Sequence, residues 1–166
     1  MDYDDLVWEL EIEEDDLVLN HPVMLPQRHH RQLGQIERLI SSASHTRLSH
    51  SGYARKVAKA ICKSLNKRGR LDCAKNDIIQ ATALHDMGHP PFSHAVEYVL
   101  KEFDGKTHHE KALELFDSNI KDDSGRTIRD ILEIYNADVD NVRKLLTGSD
   151  LLKGGNPKSR IFTDKT

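Results

Sequence analysis

The chain has 166 residues, 37% hydrophobic and 31% charged, with a net charge of -3. That suits one domain with short appendages, and the composition reads as soluble and globular rather than disordered. The charge gives no overall basic field for nucleic acid, no apolar run reaches the roughly 20 residues of a membrane span, and the acidic start is unlike a secretion leader, so the expected setting is cytoplasmic, without membrane or nucleic-acid partners.

The first segment, Leu6-Val7-Trp8-Glu9-Leu10-Glu11-Ile12-Glu13, alternates apolar and acidic residues, which is the period of a strand. Asp15-Asp16 breaks it, and Leu17-Val18-Leu19 returns as a short second strand, predicting a small N-terminal β-hairpin over 1–21. From Pro26 the pattern turns helical, with Leu33, Ile36, Leu39 and Ile40 at three- and four-residue spacing. A polar loop over 41–46 leads to a strong helix from Arg47 to Lys67, with His50, Ala54, Val57, Ile61 and Leu65 on its inward stripe and Gly69 as its stop.

Asn76-Asp77 marks the start of the next helix, whose face carries Ile78, Ala81, Leu84 and His85. Gly88 and Pro90-Pro91 end it. A helix over 94–103 with Ala95, Tyr98, Val99 and Phe103 on its apolar side follows, then helices near 107–119, 127–135 and 138–146. The expected architecture is an all-α bundle over 22–147 behind the hairpin, with a loop-rich tail over 148–166.

Cys62 and Cys73 lack C-x-x-C spacing and read as ordinary reduced thiols. The unusual residue is histidine: seven of the ten fall between His45 and His109, enough to look there for a site. His50 lies on the predicted buried stripe, where an imidazole without a partner is costly. His85 lies on the buried stripe of its own helix, and Asp86 follows at the C-terminal end. An inward carboxylate there is desolvated and meets the negative end of the helix dipole, and a bound cation relieves both penalties. Imidazole and carboxylate together suit a divalent ion that activates water, so the leading expectation is a metal-dependent hydrolase. A single core histidine is more commonly just hydrogen-bonded; the joint occurrence on two helices is what points to a metal. His29 and His30 read as surface histidines, His45 as a loop residue and His21 as a strand-end or cap residue.

With these residues placed, the chain resembles the HD-domain phosphohydrolase superfamily, and most closely its deoxynucleoside triphosphate triphosphohydrolase branch of SAM-and-HD-domain and bacterial dGTPase-like enzymes. Ala43-Ser44-His45-Thr46-Arg47-Leu48-Ser49-His50-Ser51 looks like the first motif of that family. Leu84-His85-Asp86-Met87-Gly88-His89-Pro90-Pro91-Phe92-Ser93-His94 looks like its second, nearly residue for residue. The resemblance covers about residues 22–115. It implies an HD-domain helical bundle, with His50, His85 and Asp86 as three of four ligands to a divalent metal (Mn, Mg, Fe, Ni or Zn). It implies catalytic or phosphate-facing roles for His89, His94, His109 and Glu110, although the His108-His109 doublet leaves that last histidine open by one residue. It implies that Arg47 binds phosphate and that Gln32 and Leu33 face the sugar. The implied substrate is a dNTP, converted to deoxynucleoside and triphosphate, and a homo-oligomer is a further implied partner.

The departure concerns the fourth ligand, in the family an aspartate of an Asp-x-Asp-x-x-Asp-Tyr-like stretch. Here Ala137-Asp138-Val139-Asp140-Asn141-Val142-Arg143 begins similarly and lacks the closing Asp-Tyr. Either Asp138 or Asp140 folds in, or the ligand lies beyond Thr166 in a longer parent. Two further readings stay open: an HD-type 5′-nucleotidase or other phosphoesterase, and a non-catalytic nucleotide-binding or oligomerising module.

Overall fold

The computed structural model describes residues 16–40, 44–69, 75–92 and 94–147. Among them the expected all-α class holds. Two 3-10 segments, Pro22–Arg28 and Gly34–Arg38, precede α1 (Arg47–Lys67), α2 (Lys75–Leu84), α3 (His94–Asp104), α4 (His108–Phe116), α5 (Ile128–Ile134) and α6 (Val139–Thr147). The strand predicted over 6–13, Cys73 and the tail over 148–166 lie outside the described residues.

Side chains that reach back to backbone N–H groups decide where the helices begin. Thr46 Oγ1 accepts from Ser49 N at 3.1 Å and starts α1. Thr107 and Thr127 build reciprocal caps with Glu110 and Asp130, each carboxylate returning to the threonine N–H at 2.7 Å. These pairs satisfy donors that the first helical turn leaves open. Thr107→Ala is therefore expected to cost about 1 kcal/mol, read as a shift of the urea unfolding midpoint at unchanged slope. At the other end of α1, Gly69 takes a positive φ of 63°, a stop that suits a residue without Cβ.

The core forms around α2, which is buried along almost its whole length from Asp77 to Leu84. Both α1 and α6 pack against it, and α4 and α5 pack against α6. Leu48, Ala81, Leu84, Met87, Phe116, Ile131, Leu132 and Val142 fill the space between them, closed at the front by Val18, Val23 and Met24. Cys62 is a buried free thiol whose pKa burial pushes up.

Four expectations are corrected. Residues 17–20 form a turn, not a strand: Asp16 Oδ1 takes the N–H groups of Val18 and Leu19 at 3.1 and 3.0 Å, removing them from any ladder. Asp16 is itself tied to Arg55 of α1. The 26–40 stretch is broken into the two 3-10 segments, and Leu39 is 88% exposed. The buried stripe of α1 is Leu48, Ser51, Ala58 and Cys62, so His50 sits at its edge and Ile61 is exposed. On the apolar side predicted for α3, Tyr98, Val99 and Phe103 face water, at 80%, 51% and 84% exposed.

Candidate active site

Three elements converge at one end of α2. The segment before α1 is pinned to its first turn: Arg47 N donates to His30 O at 2.8 Å and Gln32 N to His45 O at 3.1 Å. This sets Arg47 and His50, one turn apart, on the same side of α1. Beyond Leu84 the chain continues as tight turns, with Met87 N donating to Leu84 O and His89 N to Asp86 O. Gln27 Nε2 donates to the carbonyls of Met87 at 2.9 Å and His89 at 3.3 Å, holding this loop from behind.

The result gathers His50, His85 and Asp86, whose ligand-type atoms all lie within 4.8 Å of one another. His85 Nδ1 is 2.7 Å from Thr82 O. A carbonyl only accepts, so Nδ1 carries a proton and donates to it, leaving Nε2 as the ring nitrogen that can ligate. That Nε2 lies 3.3 Å from Asp86 Oδ1. A carbonyl behind one ring nitrogen is the usual device for aiming the other at a metal. Burial lowers the pKa of His50 against the pull of Asp86 and favours the neutral, ligating imidazole. The donor set fits a divalent cation of the imidazole-and-carboxylate class.

Asp86 is buried, which raises its pKa, yet His85, Arg47, His89 and His50 together bring it below the ordinary carboxylate range. Arg47 is buried and its Nη1 donates to Asp86 Oδ2 at 2.7 Å. A cation is therefore not the sole relief for this carboxylate. Arg47 occupies Oδ2, while Oδ1 faces His85 and, at 3.7 Å, His89 Nε2.

Beyond Asp86 the imidazoles continue. The His89 ring meets the His108 ring edge-on at 4.1 Å, and His108 lies 4.0 Å from His109. Partial burial and the neighbouring His108 lower the pKa of His109. His94 opens α3. Glu110 is exposed and its carboxylate serves the α4 cap, so the structure gives it a helix-end duty. The carboxylate that does reach this group is Glu97, which sequence reasoning missed: its Oε1 accepts from His108 Nδ1 at 2.6 Å. Its one signal was its place one turn into α3, after His94. His30, taken for a surface residue, is half-buried and hydrogen-bonds to the His89 backbone. His21 is indeed a cap: Nδ1 accepts from Val23 N at the first 3-10 segment. Gln32 is half-buried, and Leu33 is exposed beside it.

Asp138 is placed elsewhere. Its N–H donates to Asp77 Oδ1 at 2.8 Å and its carboxylate accepts from Asn141 N at 2.9 Å. It caps α6 beside Asp77, near the opposite end of α2, roughly 10 Å of helical rise from Leu84. Asp140 is exposed in the first turn of α6.

The HD domain family model matches residues 47–148, well over half of the chain. The chain belongs to the HD domain family. This HD domain is 42% identical over 73 residues to a deoxyguanosinetriphosphate triphosphohydrolase-like protein of Bradyrhizobium diazoefficiens, covering 41% of the chain and 16% of that protein. It is 40% identical over 87 residues to the deoxynucleoside triphosphate triphosphohydrolase SAMHD1 of Danio rerio, covering 45% of the chain and 14% of that protein. An uncharacterized protein of Methanocaldococcus jannaschii is 37% identical over 71 residues, covering 42% of the chain and 14% of that protein. The matched stretch is thus a small part of each relative. Among the described residues of the HD domain, no helix is long and apolar enough to cross a membrane.

Proposed function

We propose that this HD domain is a metal-dependent phosphohydrolase acting on nucleotides, with a dNTP as substrate and deoxynucleoside plus triphosphate as products. The supporting observation is the convergence of His50 from α1 with His85 and Asp86 from the turn after α2, flanked by His89, His108 and His109. A divalent ion held by those three residues would polarise a phosphoryl oxygen and make a bound water more acidic.

The remaining roles belong to the chain's own residues. Arg47 holds Asp86 in place through one arm and offers a planar donor fork near the phosphates. Cleavage between the α-phosphorus and the 5′ oxygen needs one proton removed from water and one given to the leaving oxygen. Histidines serve both ends near neutral pH. His89 lies 3.7 Å from Asp86, His108 and His109 continue from it ring against ring, and Glu97 accepts from His108 Nδ1, which leaves His108 Nε2 for the substrate. Gln32 and Leu33, beside the start of α1, are proposed to face the sugar.

The test is product analysis of the full chain with each dNTP and Mn2+ or Mg2+. Tripolyphosphate and deoxynucleoside are the expected products. Orthophosphate from nucleoside monophosphates alone would assign the protein to 5′-nucleotidase chemistry instead. Asp138, turned to a capping role at the far end of α2, supports a second reading as a nucleotide-binding module; it predicts dNTP binding in calorimetry with no turnover.

A further inference from the structure

The loop that carries His89 has little means of holding its own shape. Pro90 and Pro91 bring no backbone N–H to donate. Phe92 then takes a φ of 60°, in the left-handed region that bulky residues avoid. Its side chain is 56% exposed, so core packing does not account for that conformation. A strained backbone persists only where its surroundings over-determine it. The restraints on this loop must therefore come from outside it.

They come from the segment ahead of α1, and two of them meet at one atom. The His89 carbonyl accepts from Gln27 Nε2 at 3.3 Å, and the same amide donates to Met87 O at 2.9 Å. Gln27 is 1% exposed, so this amide is itself fixed by packing. His30 also hydrogen-bonds to the His89 backbone. His89 N is already committed to Asp86 O at 3.0 Å, so the acceptor is again the carbonyl. His30 Nδ1 has no partner among the described residues, which leaves Nε2 as the donor. The carbonyl thus receives two side-chain donors, three positions apart in the chain.

We propose that Gln27 and His30 are positioning residues for His89, two donors on one carbonyl that hold the strained loop in register with the imidazole group. In that register His89 Nε2 stands 3.7 Å from Asp86 Oδ1 and the His89 ring meets the His108 ring at 4.1 Å. Without the two donors the loop relaxes and the ring leaves both neighbours. His50, His85 and Asp86 keep their places, because Thr82 O anchors His85 and Arg47 anchors Asp86 independently of this carbonyl. The kinetic consequence rests on the proton-handling role given to His89 above.

Ring-to-ring NOE measurements on the histidine-labelled full chain, Mn2+ dialysis and steady-state kinetics on dNTPs test this in Gln27→Met, His30→Phe and His30→Gln. The first two changes remove a donor at similar volume, whereas the third supplies an amide N–H in place of the ring one. In Gln27→Met and His30→Phe the NOE between His89 and His108 should be lost. The NOE between His50 and His85, whose centroids are 5.4 Å apart, should stay, with unchanged Mn2+ affinity. Release of triphosphate should show kcat about tenfold lower with KM within about twofold, because a misplaced catalytic group loses rate rather than binding. His30→Gln should restore both the NOE and the rate. If Gln27→Met fails to fold, the position-30 pair decides alone. A retained His89–His108 NOE in His30→Phe, or a His30→Gln variant as impaired as His30→Phe, overturns the proposal. So does loss of the His50–His85 NOE or of Mn2+ binding in His30→Phe, which would make His30 a general structural residue. A wild type that releases triphosphate from no dNTP overturns the substrate reading instead, and the NOE pattern then still decides the positioning role.

Discussion

Asp86→Ala is expected to abolish divalent-cation binding and to cost about 3–5 kcal/mol of stability. The side chain stands between a buried guanidinium and three imidazoles, and Arg47 is only 3% exposed. Removing the carboxylate takes away the Oδ2 acceptor 2.7 Å from Arg47 Nη1 and leaves that charge in a low-dielectric interior. Urea unfolding measures the loss, and equilibrium dialysis with Mn2+ measures the metal. The double change Arg47→Met with Asp86→Leu separates the two effects. It removes both charges, so most of the stability should return while Mn2+ binding stays absent. Recovered Mn2+ binding in that variant would show that Asp86 is no ligand.

The same pair sets a pH dependence. The folded pKa of Asp86 lies below its ordinary value of 3.8, so the unfolded chain takes up the proton first on acidification. The contribution of Asp86 is present above the ordinary value and is lost as pH falls through the depressed folded one. The wild type should therefore lose more stability than the double variant in that acid window.

Gly88→Ala is expected to cost about 3 kcal/mol and to weaken phosphate binding, with cation binding retained. The reason is contact, not backbone conformation. A Cβ at Gly88 would run into the carbonyl oxygen of His108 and the backbone of Ala112 in α4. Those are backbone atoms and cannot rotate aside, so the loop or the helix must move. His85 and Asp86 lie in the turn directly after α2, whereas His108 belongs to α4. The displacement therefore opens the 4.1 Å contact between His89 and His108 more than the cluster at His50. Denaturation, Mn2+ dialysis and titration with inorganic tripolyphosphate read the three effects separately. A cost below about 1 kcal/mol would mean that α4 does not seat on Gly88.

The parts of this protein that were legible in the sequence are those governed by local chemistry. The predicted span of α1 matches because a long 3.6-residue pattern ends at Gly69. The juxtaposition of His50 with His85 and Asp86 was readable because all three sit in motif segments at predictable helix positions. What escaped were contacts made across the fold and local hydrogen bonds that the hydropathy pattern does not show. Asp16 withdraws two backbone donors from a strand-like run through one carboxylate oxygen. The Glu97 contact with His108 joins α3 to α4, and no pattern within either helix announces it. The stripe of α1 was placed off its true position because Ser51 and Gly52 lie inward, where small size matters more than hydrophobicity. Thr107 and Glu110 carry the Thr-x-x-Glu spacing of a capping box, so that hydrogen-bond pair was legible in the sequence.

The Gln27 side chain bears on where this unit can be cut. Both of its hydrogen bonds end on carbonyls of the loop that carries His89, yet Gln27 stands well upstream of the 47–148 family match. Val18, Val23 and Met24 are fully interior as well. An excised piece beginning at Arg47 would strip apolar surface from the core and leave two carbonyl acceptors beside the histidines unanswered. The smallest portable version of this scaffold therefore begins no later than Asp16, and grafting or library work on the site should carry that leading stretch along.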